Sequence, residues 1–114
     1  FARPDPDYDG GITGSMKIAT TAETLGMDTE GHACGPAMRH VMGALTKSNY
    51  YEVNLVHQRI GNAWDLPVYT CGYSDSLDCV DATGHVEVPT GPGLGVSYDW
   101  DYIAAHKVDQ IVIE

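Results

Sequence analysis

The sequence predicts an α/β fold assembled from repeating βα units, and two observations predict it. Over residues 1–56, short extended pieces alternate with helical ones, with no repeat, low-complexity tract or linker between them. In the same stretch Asp5, His32 and Glu52 each fall at the end of an extended piece, 27 and 20 residues apart, about what one helix plus one strand consumes.

Residues 1–4 read as the end of a strand, followed by a flexible turn at Asp9-Gly10-Gly11. Thr13 is placed to cap a helix that runs to about Leu25, with Met16, Ala19, Ala22 and the offset Ile18 and Leu25 as its apolar face. Gly26 ends it. Residues 27–31 form a short strand. Pro36 then takes the first position of a second helix, on which Met38, Val41, Met42 and Leu45 repeat at helical spacing, and Asn49 closes it. Tyr50, Tyr51, Val53 and Leu55 make a third strand.

The texture changes from Gln58 onward, where Trp64, Pro67, Cys71 and Tyr73 precede a loop rich in Asp and Ser around Ser74 to Asp78. His85 to Val88 alternate as a strand should, and Pro89-Thr90-Gly91-Pro92-Gly93-Leu94-Gly95 must turn sharply. Asp99 caps a short helix through about His106, and Val108 to Ile113 read as a terminal strand. Two parts follow: 1–57, the last βα units, and 58–114, a tail over their exterior.

A hydrophobic content of 43% is enough to bury a core. Sixteen acidic residues against six basic ones give a formal charge of −10, which repels nucleic acid and anionic membrane surfaces alike. No apolar run approaches the roughly 18 residues of a bilayer span. Cys34, Cys71 and Cys79 are an odd count without C-x-x-C spacing, which fits reduced thiols in a cytoplasm, with a Cys71–Cys79 disulfide as the alternative. The chain is therefore expected to be soluble and cytoplasmic. It opens on Phe1 without a leader, and its true N-terminus is expected to lie upstream.

Functional side chains of parallel α/β folds stand at the C-terminal ends of the strands, where the loops converge. Asp5, His32 and Glu52 hold such positions, so an acid, an imidazole and an acid face one mouth. Taken singly, Asp5 could cap a turn, His32 could be a half-buried structural histidine and Glu52 an exposed charge; their common register favours function. Asp7 is the reserve for Asp5, while His40 sits on the second helix, where packing suits it better than reaction. His32, Cys34 and His40 match no zinc spacing. Gly91 to Gly95 is a turn rather than a phosphate loop, because Pro92 removes an amide donor and no Lys-Ser or Lys-Thr follows.

Asp5, Gly10-Gly11-Ile12-Thr13-Gly14, His32 behind its short strand, Glu52, and Val88-Pro89-Thr90-Gly91-Pro92-Gly93-Leu94-Gly95 together resemble the mandelate racemase subgroup of the enolase superfamily, the last being similar to its V-P-x-x-P-G-L-G signature. The resemblance covers nearly the whole chain. It implies the C-terminal part of a modified (β/α)7β TIM-type barrel, with a tail packing towards an N-terminal capping domain outside this chain. A whole barrel needs about 200 residues or more, so upstream strands are expected elsewhere.

The resemblance also implies a role for each residue. His32 would exchange the proton on the carbon beside a substrate carboxylate, Asp5 would orient its imidazole, and a protonated Glu52 would donate a hydrogen bond to the substrate. Mg2+ is the implied cofactor, its three carboxylate ligands and a lysine base lying upstream; no position here matches them. Most His and Asp members of the subgroup are sugar-acid dehydratases, so the implied reaction is loss of water from an aldonic or aldaric acid to a 2-keto-3-deoxy acid, catalysed by a homo-oligomer. The alternatives are a racemase or epimerase of a 2-hydroxy acid, and a non-catalytic assembly module using Tyr50, Tyr51, Trp64, Tyr69, Tyr73, Tyr98, Trp100 and Tyr102 as an aromatic interface.

Overall fold

Three extended pieces lie side by side and parallel, joined by two helices that pack on each other. A computed structural model describes residues 1–53, 57, 59, 60 and 65–113. Helix α1 spans Gly11–Thr24, α2 Pro36–Gly43 and α3 Trp100–Ala105, with a 3-10 turn at Leu77–Cys79. The parallel pieces meet at single bridges, Ala2 with Thr29 and Thr29 with Ser48, so the segment around Thr29 is central. Bonds from Ala2 N to Asp28 O (3.0 Å), Glu30 N to Ala2 O (2.9 Å) and His32 N to Pro4 O (3.0 Å) extend the first pairing. The result is two successive β-α-β crossovers.

Helix α1 starts two residues before the expected cap. Gly10 and Gly11 both have positive φ (79° and 75°), and no side chain caps the helix. Only glycine takes that backbone without steric cost, so the glycine pair fixes the start and Thr13 falls inside the helix. At the other end Gly26 (φ 73°) behaves as expected. Its N–H bonds to Glu23 O (3.0 Å) and that of Met27 to Ala22 O (2.9 Å), the double bond pattern of a Schellman stop.

The buried face of α1 is Ser15, Ala19 and Ala22, small residues at spacings of four and three. Ile18 and Leu25 turn outward, at 38% and 69% exposure, because they lie off that row. Met38 and Val41 of α2 complete the core with Pro4 and Thr29. The hydroxyls of Ser15 and Thr29 are buried without a hydrogen-bond partner among the described residues, so both side chains act as filler.

Helix α2 begins at Pro36 as expected but ends at Gly43, well before Asn49. The chain must turn there to bring Ser48 beside Thr29, and polar side chains hold that turn. Ser48 Oγ donates to Met42 O at 3.0 Å, a carbonyl that also accepts from Leu45 N (3.2 Å), while Thr46 donates to Glu23 Oε1 through its N–H (3.1 Å) and its hydroxyl (3.0 Å). The second parallel pairing, that of the third piece, accordingly comes at Ser48, ahead of Tyr50; Leu55 and Trp64 lie outside the described residues.

The tail folds back by two antiparallel bridges, Tyr69 with Tyr98 and Val80 with Val86. The strand expected at His85 to Val88 is thus one bridge. Asp99 caps α3 as expected, its carboxylate accepting from Tyr102 N at 2.8 Å. No strand forms at 108–113. Val108, Ile111, Val112 and Ile113 are exposed, with no bridge partner among the described residues. Tyr69, Tyr73, Tyr98 and Trp100 contact one another in a chain of tilted rings with centroids 4.8–5.6 Å apart, while Trp100 stays exposed.

Arg39 ties the tail to the crossovers. From α2 its guanidinium donates to Asp75 Oδ1 (2.8 Å), Ser74 O (2.6 Å) and Glu87 O (3.0 Å), and stacks 4.4 Å above the Tyr73 ring. Both members of the ion pair are buried. Burial works against the charge on Arg39, but its bonds to Tyr51 and Asp75 outweigh that and hold it protonated. Arg39→Met should lower stability by roughly 3–5 kcal/mol in urea unfolding, because Asp75 keeps its buried charge and loses its cation. A loss under about 1 kcal/mol, the range of an exposed pair, would show that the pair is not the tail's anchor.

Candidate active site

Asp5 sits where the first extended piece ends, in a turn built around its own backbone. Tyr8 N and Asp9 N bond to Asp5 O at 3.1 and 2.8 Å, and Asp9 Oδ2 accepts from Asp5 N at 2.7 Å. Asp7 N donates to Asp5 Oδ1 at 2.8 Å, leaving Asp5 Oδ2 for His32 Nδ1 at 2.7 Å. Asp5 is the acid on the imidazole, and Asp7 and Asp9 buttress it. The turn rests on α1, where a Cβ on Gly14 would overlap the carbonyl oxygen of Asp9. Here the Gly10-Gly11-Ile12-Thr13-Gly14 motif has its use: two residues set the start of the helix and the fifth lets the acid-bearing turn lie on it.

His32 follows the central piece. Its side chain is 51% exposed while that of Asp5 is 7% exposed, so a half-open imidazole leans on a buried carboxylate. A carboxylate facing the ring accepts, which puts the hydrogen on Nδ1 and the lone pair on Nε2. Nε2 is the ring nitrogen that Asp5 does not engage, on a side chain half open to solvent.

Glu52 comes from the third piece and reaches the turn that follows His32. Its Oε2 accepts from Ala33 N and from Arg3 Nη2, each at 2.7 Å. Both contacts fall on one oxygen and both come from donors, so the hydrogen-bond donation expected of Glu52 requires a proton on Oε1. Ala33 is the one described non-glycine residue with positive φ (63°), a conformation costing about 1–2 kcal/mol that Glu52 helps to hold. Arg3 and Glu52 border a cavity of about 360 Å3 with Phe1, Glu30 and Tyr50.

Sequence reasoning brought forward Asp5, His32 and Glu52; the structure bonds Asp5 to His32, and brings Glu52 to the main chain of Ala33, the residue after His32. Arg3 was missed, although it precedes Asp5 by two residues and therefore points to the same side of an extended chain. Tyr51 was missed as well. Its hydroxyl accepts from Gly35 N (2.8 Å) and Arg39 Nε (3.3 Å) and donates to Asp75 Oδ1 (2.6 Å). His40 bonds to Leu94 O at 3.1 Å and so braces the Pro89 to Gly95 turn, as its place on α2 suggested. Cys71 and Cys79 are free thiols, so the alternative disulfide between them is not formed. No group of three or more His, Cys, Asp or Glu among the described residues could hold a metal ion, and no described helix is long and apolar enough to cross a membrane.

A family model described as enolase C-terminal domain-like matches residues 1–102. The chain belongs to that family. As an enolase C-terminal domain-like chain it falls within a superfamily built around an α/β barrel, whose members typically use Mg2+. It is similar to the D-gluconate dehydratase of Thermoproteus tenax, 28% identical over 118 residues that cover 94% of this chain and 21% of that protein. The chain thus spans about a fifth of the length of that curated relative. No solved structure gives a significant match.

Burial pushes the Tyr51 and Tyr73 phenols well above the usual range, with bonds to Asp75 adding to it, and pushes Tyr69 up to about 12. A phenol whose folded value exceeds its unfolded value of about 10 adds stability that is complete below that pH and is lost as pH rises through the folded value. Ultraviolet titration should show these three tyrosines ionising only above about pH 12, or together with alkaline unfolding. Complete ionisation of a still-folded protein by about pH 11 would contradict the network.

Proposed function

We propose that this chain supplies the acid–base pair of a sugar-acid dehydratase that converts an aldonic or aldaric acid to a 2-keto-3-deoxy acid. The observation that carries the reading is the 2.7 Å bond from His32 Nδ1 to the buried Asp5, which leaves Nε2 of a half-exposed imidazole free to move a proton. Likeness to a D-gluconate dehydratase over 94% of the chain favours dehydration over racemisation as the reaction.

His32 Nε2 takes the proton from the carbon next to the substrate carboxylate, and Asp5 holds the ring while it carries charge. The same imidazolium then protonates the β-hydroxyl, the C–O bond breaks, water leaves, and the enol formed tautomerises to the 2-keto acid. The proton taken from the α-carbon leaves on the β-oxygen as part of the water, so the imidazole ends as it began. Glu52, with Arg3 beside it, contacts the substrate on the opposite side of the mouth. The described residues do not fit a magnesium site.

The reading places residues 1–57 as the last βα units of a (β/α)7β barrel of the mandelate racemase type and 58–114 as a tail towards a capping domain. It takes the assembled protein to be a cytoplasmic homo-oligomer acting on a small sugar acid, with no nucleic acid or membrane partner.

The test is a screen of the full-length protein with magnesium against aldonic and aldaric acids, scored by 2-keto acid. Exchange of the α-proton in deuterated water without keto acid would replace dehydration by racemisation or epimerisation, and silence in both would favour a non-catalytic module. With a substrate in hand, His32→Asn should reduce kcat by a factor of about 10²–10⁴ with little loss of stability, since the side chain is half exposed. Glu52→Gln should be milder, because the amide oxygen still accepts and the amide nitrogen donates. Near-normal turnover in His32→Asn would end the assignment.

A further inference from the structure

We propose that Tyr51 is a positioning residue for His32: its hydroxyl holds Gly35 N while the next side chain, Glu52, holds Ala33 N, so that two consecutive residues clamp the turn on which the imidazole stands. The proposal rests on the reading of His32 as the acid–base residue.

The turn needs a clamp. Ala33 has positive φ (63°), which in a residue with a Cβ persists only where its surroundings over-determine it, and Gly35 (φ 125°) beside it takes a backbone that only glycine accepts. Glu52 fixes Ala33 N at 2.7 Å, but Glu52 faces the substrate mouth and also pairs with Arg3. A carboxylate that answers to substrate is a variable anchor. Tyr51 supplies the constant one, at Gly35 N (2.8 Å), three residues past His32.

The hydroxyl is itself saturated. A phenol oxygen donates once and accepts up to twice. Here it donates to Asp75 and accepts from Gly35 N and Arg39 Nε, so every position is filled and the group has a single orientation. Asp75, in turn, is buried and paired with Arg39. The tail is thereby connected to the imidazole through one oxygen atom.

Tyr73 provides the comparison. Its hydroxyl also donates to Asp75, at Oδ2 (2.7 Å), and among the described residues it makes no bond to the 33–35 turn. Removing either hydroxyl deletes one bond to the same carboxylate, but only Tyr51→Phe frees Gly35.

The experiment uses full-length protein carrying 15N-labelled histidine. The Nδ1–H resonance of His32, identified by its disappearance in His32→Asn, reports the bond to Asp5 without any substrate. Its exchange with water should be at least about tenfold faster in Tyr51→Phe than in Tyr73→Phe or the unaltered protein. Alongside, kcat on the sugar acid found in the screen should fall about tenfold or more in Tyr51→Phe, with KM within about twofold, while Tyr73→Phe keeps the unaltered kcat. Equal exchange rates in the two variants, or a resonance missing from the unaltered protein, would overturn the positioning role. Absence of turnover in every form, the unaltered protein included, would overturn the dehydratase reading and leave the exchange comparison to decide the role of Tyr51.

Discussion

The buried pair of Arg39 and Asp75 is the contact on which the architecture turns. Two helices and three parallel pieces account for residues 1–53, but the tail has no long strand to join them. A guanidinium offers five N–H donors in a rigid fork, and here that fork reaches a carboxylate, two main-chain carbonyls and a phenol belonging to separate stretches of chain. Taking both charges out of water is costly, and the cost is met only because nearly every donor finds an acceptor. Specific attachment at one point substitutes for extended sheet pairing.

The site depends on that attachment at one remove. Asp5 and His32 are placed by local means: a turn that bonds to itself, a parallel pairing through Pro4 O and a glycine that admits both. Glu52 and Tyr51 lie on a piece with no bridge of its own after Ser48, and their direction is set by what they touch. One half of the mouth is thus held by backbone and the other by side chains.

This division explains what the sequence disclosed. The register of Asp5, His32 and Glu52 could be read because βα units have a characteristic length and because residues at strand ends share a rim. Pro36, Gly26 and Asp99 marked their helix boundaries by chemistry that acts within a few residues. The end of α2 could not be read, since it is decided by Ser48 reaching Thr29 and by Thr46 reaching Glu23, contacts across long stretches of chain. Arg39 gave no signal either. A charged residue between Ala37–Met38 and His40–Val41 looks like the wet side of an amphipathic helix, and its burial follows from where Ser74 and Asp75 come to lie. The β-branched stretch from Val108 to Ile113, broken by Asp109 and Gln110, has the look of a strand, yet a strand also needs a neighbour, and the described residues present none.

The Asp5 turn has a further consequence for anyone who would transplant this chemistry. Asp5 and Asp9 bond to each other in both directions, and the Gly14 backbone lies against the Asp9 carbonyl, so the stretch from Asp5 to Gly14 is a fixed ruler rather than a flexible lead-in. A carboxylate grafted alone beside a histidine on another scaffold would lack the amide of Asp7 that occupies its second oxygen, and would be free to rotate away. The transferable unit is the whole ten-residue piece, strand end through first helical turn, and its length tolerates neither insertion nor loss.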